Sequence, residues 1–137
     1  MTAGTFASTR DPMKLERLES EPRTRYPFAL GSTSYVIPDD ILPNVRRLAP
    51  LVDDIELVLF ETPEASNMLS EADVRVLCEL SDEHGTSFTV HLPTECRAAS
   101  PHQEERARYR ASARRVMEMC APLHPRAWIA HLEGIAH

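Results

Sequence analysis

Several features common in secreted and membrane proteins are missing from this 137-residue sequence. No apolar run approaches the ~20 residues that a membrane-spanning helix needs, and the first residues lack the basic-then-apolar pattern of a signal peptide. The three cysteines are far apart and form no CxxC motif, which favours free thiols in a reducing compartment over disulfides or a zinc cluster. We therefore expect a cytoplasmic protein with no membrane partner.

Glycine and lysine are also scarce. The four glycines are scattered, so the sequence has no glycine-rich phosphate-binding loop, and Lys14 is the single lysine among fifteen basic residues. Acidic residues outnumber basic ones and give a net charge of −6, which argues against a general nucleic-acid-binding protein. Neither a Ser/His/Asp nor a Cys/His nucleophile has a local signature in the sequence.

The hydrophobic content of 42% is sufficient for the core of one domain. Residues 1–27 are polar and show no sustained hydrophobic period, so we predict a disordered or loosely packed leader there. Residues 28–137 alternate strand-like and helix-like segments. Because alternating strands and helices favour a parallel sheet with right-handed crossovers, we predict a single α/β domain of about four parallel strands and three helices.

The predicted elements are bounded by residues with known preferences. The strands are expected at 28–36, 55–60, 86–92 and 127–130, and the helices near 41–50, 70–85 and 101–120. Ser70 is a candidate N-cap, and Gly85 occupies the position of a glycine that ends a helix. Ser100 and Gln103 resemble a capping box at the start of the third helix.

Two of the predicted strands end in a histidine. His91 comes two residues before the strand-breaking Pro93, and His131 follows the apolar segment 127–130. Ligands of parallel α/β proteins gather at the carboxyl ends of the strands, where these two imidazoles should meet. Together with Glu61, at the end of the second strand, they would form a reasonable ligand set for Zn²⁺, Mn²⁺ or a similar divalent ion.

Each of these residues also has a simpler interpretation. A single histidine at a strand end is more often an ordinary hydrogen-bonded residue than a metal ligand. Glu61 is open between a ligand, a residue that orients a ligand, and a solvated loop charge. Glu61 and Glu95 are the candidate catalytic carboxylates, although Glu95 and Glu133 are also typical loop or helix-entry charges.

Four stretches together resemble one family, the cobamide-remodelling phosphodiesterases, within the apurinic endonuclease and xylose isomerase-like superfamily. They are residues 31–45, 53–61, 90–93 and 130–134, and the resemblance covers residues 28–137. The first two stretches are fairly specific to that family. The two His-Leu motifs are shared across much of the superfamily, and Thr94 and Glu95 stand where the family usually has an aspartate.

The resemblance implies a (β/α)₈ TIM barrel with a divalent-metal site. It implies hydrolysis of the nucleotide-loop phosphodiester of a small-molecule corrinoid, converting cobalamin to cobinamide. By this resemblance, His91 and His131 match the metal-ligating histidines after the third and fourth strands. Glu61 matches the acidic residue that ends the second strand.

The chain is short for this architecture, because such barrels need ~250 residues. We therefore expect a truncated barrel with two open sheet edges and an exposed apolar barrel interior. Three functions stay open. They are an impaired cobamide phosphodiesterase, an incomplete sugar-phosphate isomerase or epimerase, and a non-catalytic half-barrel that forms a homodimer or pairs with a complementary chain.

Overall fold

Strands and helices alternate along the whole of the described chain, residues 26–132 of the computed structural model. In chain order the elements are β1 (Gly31–Thr33), α1 (Ile41–Leu48), β2 (Asp54–Val58), α2 (Glu71–His84), β3 (Ser87–His91), α3 (Gln103–Cys120) and β4 (Ala127–Ile129). A short 3₁₀ turn, Ala121–Leu123, separates α3 from β4. Most of the predicted leader and Glu133 lie outside the described residues, so the predictions for them stand untested.

The four strands form one sheet in the order β1-β2-β3-β4, and every neighbouring pair is parallel. Each connection between neighbours contains one α-helix, as is usual between parallel strands. The predicted α/β architecture, with four parallel strands and three crossover helices, is therefore confirmed over these residues. The carboxyl ends of all four strands lie at the same edge of the sheet.

Burial alternates along the two central strands and distinguishes the two faces of the sheet. In β2, Ile55 and Leu57 are fully buried, as are Phe88 and Val90 in β3, because these side chains face the helices. The half-buried positions between them face the opposite side, which we call the open face; they are Asp54, Glu56, Val58, Ser87, Thr89 and His91. Five of these six residues are polar, so the expectation of an apolar interior surface was wrong for the central strands.

The helix ends follow the predicted chemistry in one case and depart from it in another. Ser70 caps α2, with its hydroxyl accepting from the Asp73 amide, and Gly85 ends the helix with a φ of 64° that disfavours residues with a Cβ. The capping box predicted for α3 does not form. His102, and not Ser100, is the N-cap, and it makes no side-chain cap hydrogen bond. The Ser100 hydroxyl is bonded to the Glu105 carboxylate instead.

Strand β1 is much shorter than predicted. It contains only Gly31–Thr33, because the amides of Val36 and Ile37 are bonded to the side chain of Asn44 and so cannot join a ladder. The longest helix, α3, has exposed arginines along its outer face, as expected of a solvated surface. In the part of the chain that the structure describes, no helix is both long and apolar enough to cross a membrane.

Candidate metal centre

His91 is the last residue of β3 and lies on the open face. Its Nδ1 is 2.8 Å from the carbonyl oxygen of Leu92, a distance at which the ring N–H donates to the carbonyl. This hydrogen bond selects the tautomer that keeps a lone pair on Nε2. Histidines that bind metals are commonly oriented in this way, by a hydrogen bond from the ring nitrogen that does not bind the metal.

His131 lies two residues beyond the end of β4, the strand next to β3 in the sheet. The Leu92 amide donates to the Ile129 carbonyl at 2.8 Å, so the parallel register continues past the end of β3. Ile129 pairs with His91, and His131 falls two residues later on the same face. The two Nε2 atoms are 3.1 Å apart, and the rings meet at an interplanar angle of 64°.

The separation of the two nitrogens suits a shared cation. Zinc–imidazole bonds of about 2.0–2.1 Å to both Nε2 atoms would meet at an angle of roughly 100°, close to tetrahedral. Two imidazoles supply half of a four-coordinate site. Within residues 26–132, no group of three or more His, Cys, Asp or Glu side chains could hold a metal ion, so a third protein ligand is not among them. The ligand role of the pair stays a prediction.

Glu61 is not brought to the histidine pair. Its carboxylate accepts a hydrogen bond from Arg115 of α3 at 2.5 Å, and both side chains are largely exposed. Strand alternation accounts for this direction, because Val58 lies on the open face and the third residue after it points to the helix side. Its predicted roles as ligand and catalytic carboxylate therefore gain no support from the geometry. Glu95 is exposed in the loop after β3.

Strand β2 carries a carboxylate on the open face that is not among the site residues predicted from the sequence. Glu56 is half-buried on the open face, in register with Thr89. Thr89 is two residues before His91 on the same face. The signal was available in the sequence, since Ile55, Leu57 and Leu59 alternate with Glu56.

The loop that follows His91 is anchored at the start of α3. The Arg97 guanidinium donates from Nε and Nη2 to the two carboxylate oxygens of Glu105, at 3.0 and 3.3 Å, and the Ser100 hydroxyl donates to the same carboxylate at 2.5 Å. Hydrogen bonds from Arg97 first, and then from Ser100, lower the pKa of Glu105 from 4.5 to about 2. The carboxylate therefore remains ionised in mild acid.

Replacing Arg97 with alanine should raise the pKa of Glu105 toward its ordinary value. Because the pKa of Glu105 is lower in the folded than in the unfolded protein, its ionised carboxylate stabilises the fold at pH values above the unfolded-state pKa. This contribution is lost as the pH falls through the folded-state pKa of about 2. The titration midpoint of the Glu105 carboxyl carbon, followed by NMR, measures the change. Arg106 is the matched control, because it donates to the Ser100 and Pro101 carbonyls instead. A wild-type midpoint near 4.5, or no response to the loss of Arg97, would contradict this assignment.

Comparison with known proteins supports the fold more than any activity. No family model and no curated protein matches this sequence. The structure is similar to the crystal structure of a D-tagatose 3-epimerase-like protein, with a TM-score of 0.62 and 23% sequence identity. The match covers 76% of this chain and 38% of that protein. At this identity the likeness supports the fold alone, an α/β arrangement like part of a TIM barrel, and this chain spans well under half of the matched protein.

Proposed function

We propose that this chain contributes two ligands to the divalent-metal centre of a sugar isomerase or epimerase. The observation that carries the proposal is the 3.1 Å approach of the His91 and His131 Nε2 atoms at the carboxyl edge of the sheet. The fold shared with an epimerase-like protein supports this reaction class over the alternatives. The cation, most simply Zn²⁺ or Mn²⁺, would polarise a substrate carbonyl and make the neighbouring C–H bond more acidic.

The residues of this chain would hold the cation and bind the substrate. The bond from His91 Nδ1 to the Leu92 carbonyl fixes the orientation of one ring and leaves the lone pair of its Nε2 for the cation. Polar side chains of the open face offer hydrogen-bonding groups to sugar hydroxyls. Removing the proton from the carbon next to a carbonyl also requires a base. The carboxylates we propose for this role are Glu56 on the open face and Glu95 in the loop after β3.

Hydrolysis of a cobamide phosphodiester is the second candidate. It is favoured by the resemblance of residues 31–45 and 53–61 to the cobamide-remodelling phosphodiesterases, and it would use the same histidine pair. A non-catalytic role, in which the open face pairs with a second copy or with a complementary half-barrel chain, is the third. Light scattering that gives twice the chain mass would favour the homodimer.

One experiment separates the two enzymatic candidates. The full chain, supplemented with Zn²⁺ or Mn²⁺, is incubated in D₂O with D-tagatose, D-fructose or D-fructose 6-phosphate, and in parallel with adenosylcobalamin. An enzyme that removes the proton next to the carbonyl with a base exchanges it with solvent, so NMR should show metal-dependent entry of deuterium into at least one of the sugars. Release of cobinamide without exchange would instead favour the phosphodiesterase. If metal-loaded protein gives neither product, the proposed activity is wrong for this chain.

A further inference from the structure

Tyr35 lies in the loop of residues 34–40, between β1 and α1, and buried side chains hold the backbone around it. Ser34 is fully buried; its amide donates to the Glu56 carbonyl at 2.9 Å, and its hydroxyl accepts from the Val58 amide at 3.3 Å. On the other side of Tyr35, fully buried Asn44 accepts from the Val36 and Ile37 amides, each at 2.9 Å. The loop is therefore fixed to β2 and to α1.

Tyr35 is nevertheless 40% exposed, and Val36 is 42% exposed. A loop with so many internal hydrogen bonds has little need of an exposed aromatic residue for its own stability. Binding residues of parallel α/β folds gather in the loops at the carboxyl edge of the sheet, where Tyr35 lies. The exposure of Tyr35 therefore calls for a functional explanation.

The hydroxyl of Tyr35 is oriented by Asn67, in the loop between β2 and α2. The Asn67 Oδ1 accepts from the Phe60 amide at 2.7 Å, and its Nδ2 donates both to the Val58 carbonyl, at 2.8 Å, and to the Tyr35 hydroxyl oxygen. Both hydrogens of the amide group are thereby used. The Tyr35 oxygen accepts from Asn67, so its own hydrogen remains available to donate to another group.

Tyr35 is at the same level of the sheet as the histidine pair. The bond between Ser34 and Val58 sets the loop level with the end of β2, and Val58 pairs with His91 in the β2–β3 register. The Asn67 amide that bonds the Tyr35 hydroxyl also bonds the Val58 carbonyl, so the hydroxyl lies at the end of β2, one strand away from β3 and two from β4. An open-chain sugar of five to six carbons, held at the histidines by its carbonyl end, can span that gap.

We propose that Tyr35 is a substrate-binding residue, whose hydroxyl donates a hydrogen bond to the end of a sugar chain remote from the histidine pair. This inference rests on the proposed function and extends it, because it sets a minimum length for the substrate. Asn67 is then a positioning residue, which acts through the Tyr35 hydroxyl. A three-carbon substrate would reach the histidines without reaching Tyr35.

The test compares the binding of two ligands of different length by calorimetry, with Zn²⁺-supplemented protein. Tyr35→Phe should weaken D-tagatose binding about 5- to 10-fold, as expected for the loss of one hydrogen bond, and leave dihydroxyacetone binding and Zn²⁺ affinity unchanged. Tyr26→Phe is the matched control, because Tyr26 is 49% exposed and stacks on Phe28 ahead of β1. That control should bind both ligands as the wild type does.

The outcomes separate the inference from the function on which it rests. Selective weakening of D-tagatose binding by Tyr35→Phe supports the inference. If wild-type protein binds D-tagatose and Tyr35→Phe binds it equally well, or loses both ligands to the same extent, Tyr35 does not contact the remote end and the inference is overturned. If Zn²⁺ binds but neither sugar does, the proposed function itself fails, and the length requirement fails with it.

Discussion

Replacing His91 with alanine is expected to weaken Zn²⁺ binding by about 100-fold or more. Loss of a group that only orients a ligand typically costs 10–100-fold in metal affinity, and loss of a ligand itself should cost at least about 100-fold. His131→Ala should have a similar effect, because each ring supplies one of the two Nε2 atoms that face each other at 3.1 Å. Competition titration with a chromophoric chelator measures the affinity.

The matched control for these variants is His102→Ala. His102 is exposed at the start of α3, and its side chain makes no cap hydrogen bond, so its loss should leave both Zn²⁺ affinity and thermal stability unchanged. Co²⁺ in place of Zn²⁺ adds a spectroscopic readout, since tetrahedral nitrogen ligation produces visible absorption bands. Unchanged Zn²⁺ affinity in both His91→Ala and His131→Ala would mean that the pair is only a hydrogen-bonded contact between two strand ends.

Replacing Asn44 with alanine is expected to lower the free energy of unfolding by about 3 kcal/mol, since each buried group left without a partner costs about 1–3 kcal/mol. The side-chain oxygen accepts from two amides, and the two hydrogens of Nδ2 are shared among the carbonyls of Ile37, Asp39 and Asp40. Asn44 is fully buried, so water cannot replace these bonds without opening the loop. Urea denaturation followed by circular dichroism measures the change.

Arg46→Ala is the control for this prediction, because Arg46 is exposed on the same helix and should change stability by no more than about 0.5 kcal/mol. The Asn44 variant should also weaken D-tagatose binding, since the loop that carries Tyr35 loses its anchor. A stability close to that of the wild type would show that the loop amides find other partners, and that Asn44 does not hold the loop.

Residues 31–45 are explained differently by the family resemblance and by the structure. The stretch 31–45 suggested a phosphodiesterase family, and in the fold it contains β1, buried Ser34 and Asn44, and the loop that presents Tyr35. Ser34 and Asn44 hold that loop through hydrogen bonds to Val58, Val36 and Ile37. Such a stretch therefore supports a common architecture more strongly than it supports a particular substrate.

The elements of this protein follow from local patterns in the sequence. The apolar spacing of Ile41, Val45 and Leu48, the Ser70 cap and Gly85 all act within a few residues, so the order of strands and helices and their parallel arrangement were predictable. The meeting of His91 and His131 was predictable as well, because both residues end strands of one parallel sheet. Local propensity and strand topology are enough for those conclusions.

Contacts between distant parts of the chain needed the tertiary structure. Glu61 turns toward Arg115, fifty-four positions away, and Tyr35 is oriented by Asn67, thirty-two positions away. The contact between Glu61 and Arg115 depends on the side of the sheet to which a residue just beyond a strand end points. The contact between Tyr35 and Asn67 depends on how two loops pack. Strand alternation sets the face on which Glu61 lies, but its pairing with Arg115 depends on how α3 packs on the sheet. A loop adopts its shape only when its backbone groups find partners, so neither contact can be derived from local pattern alone.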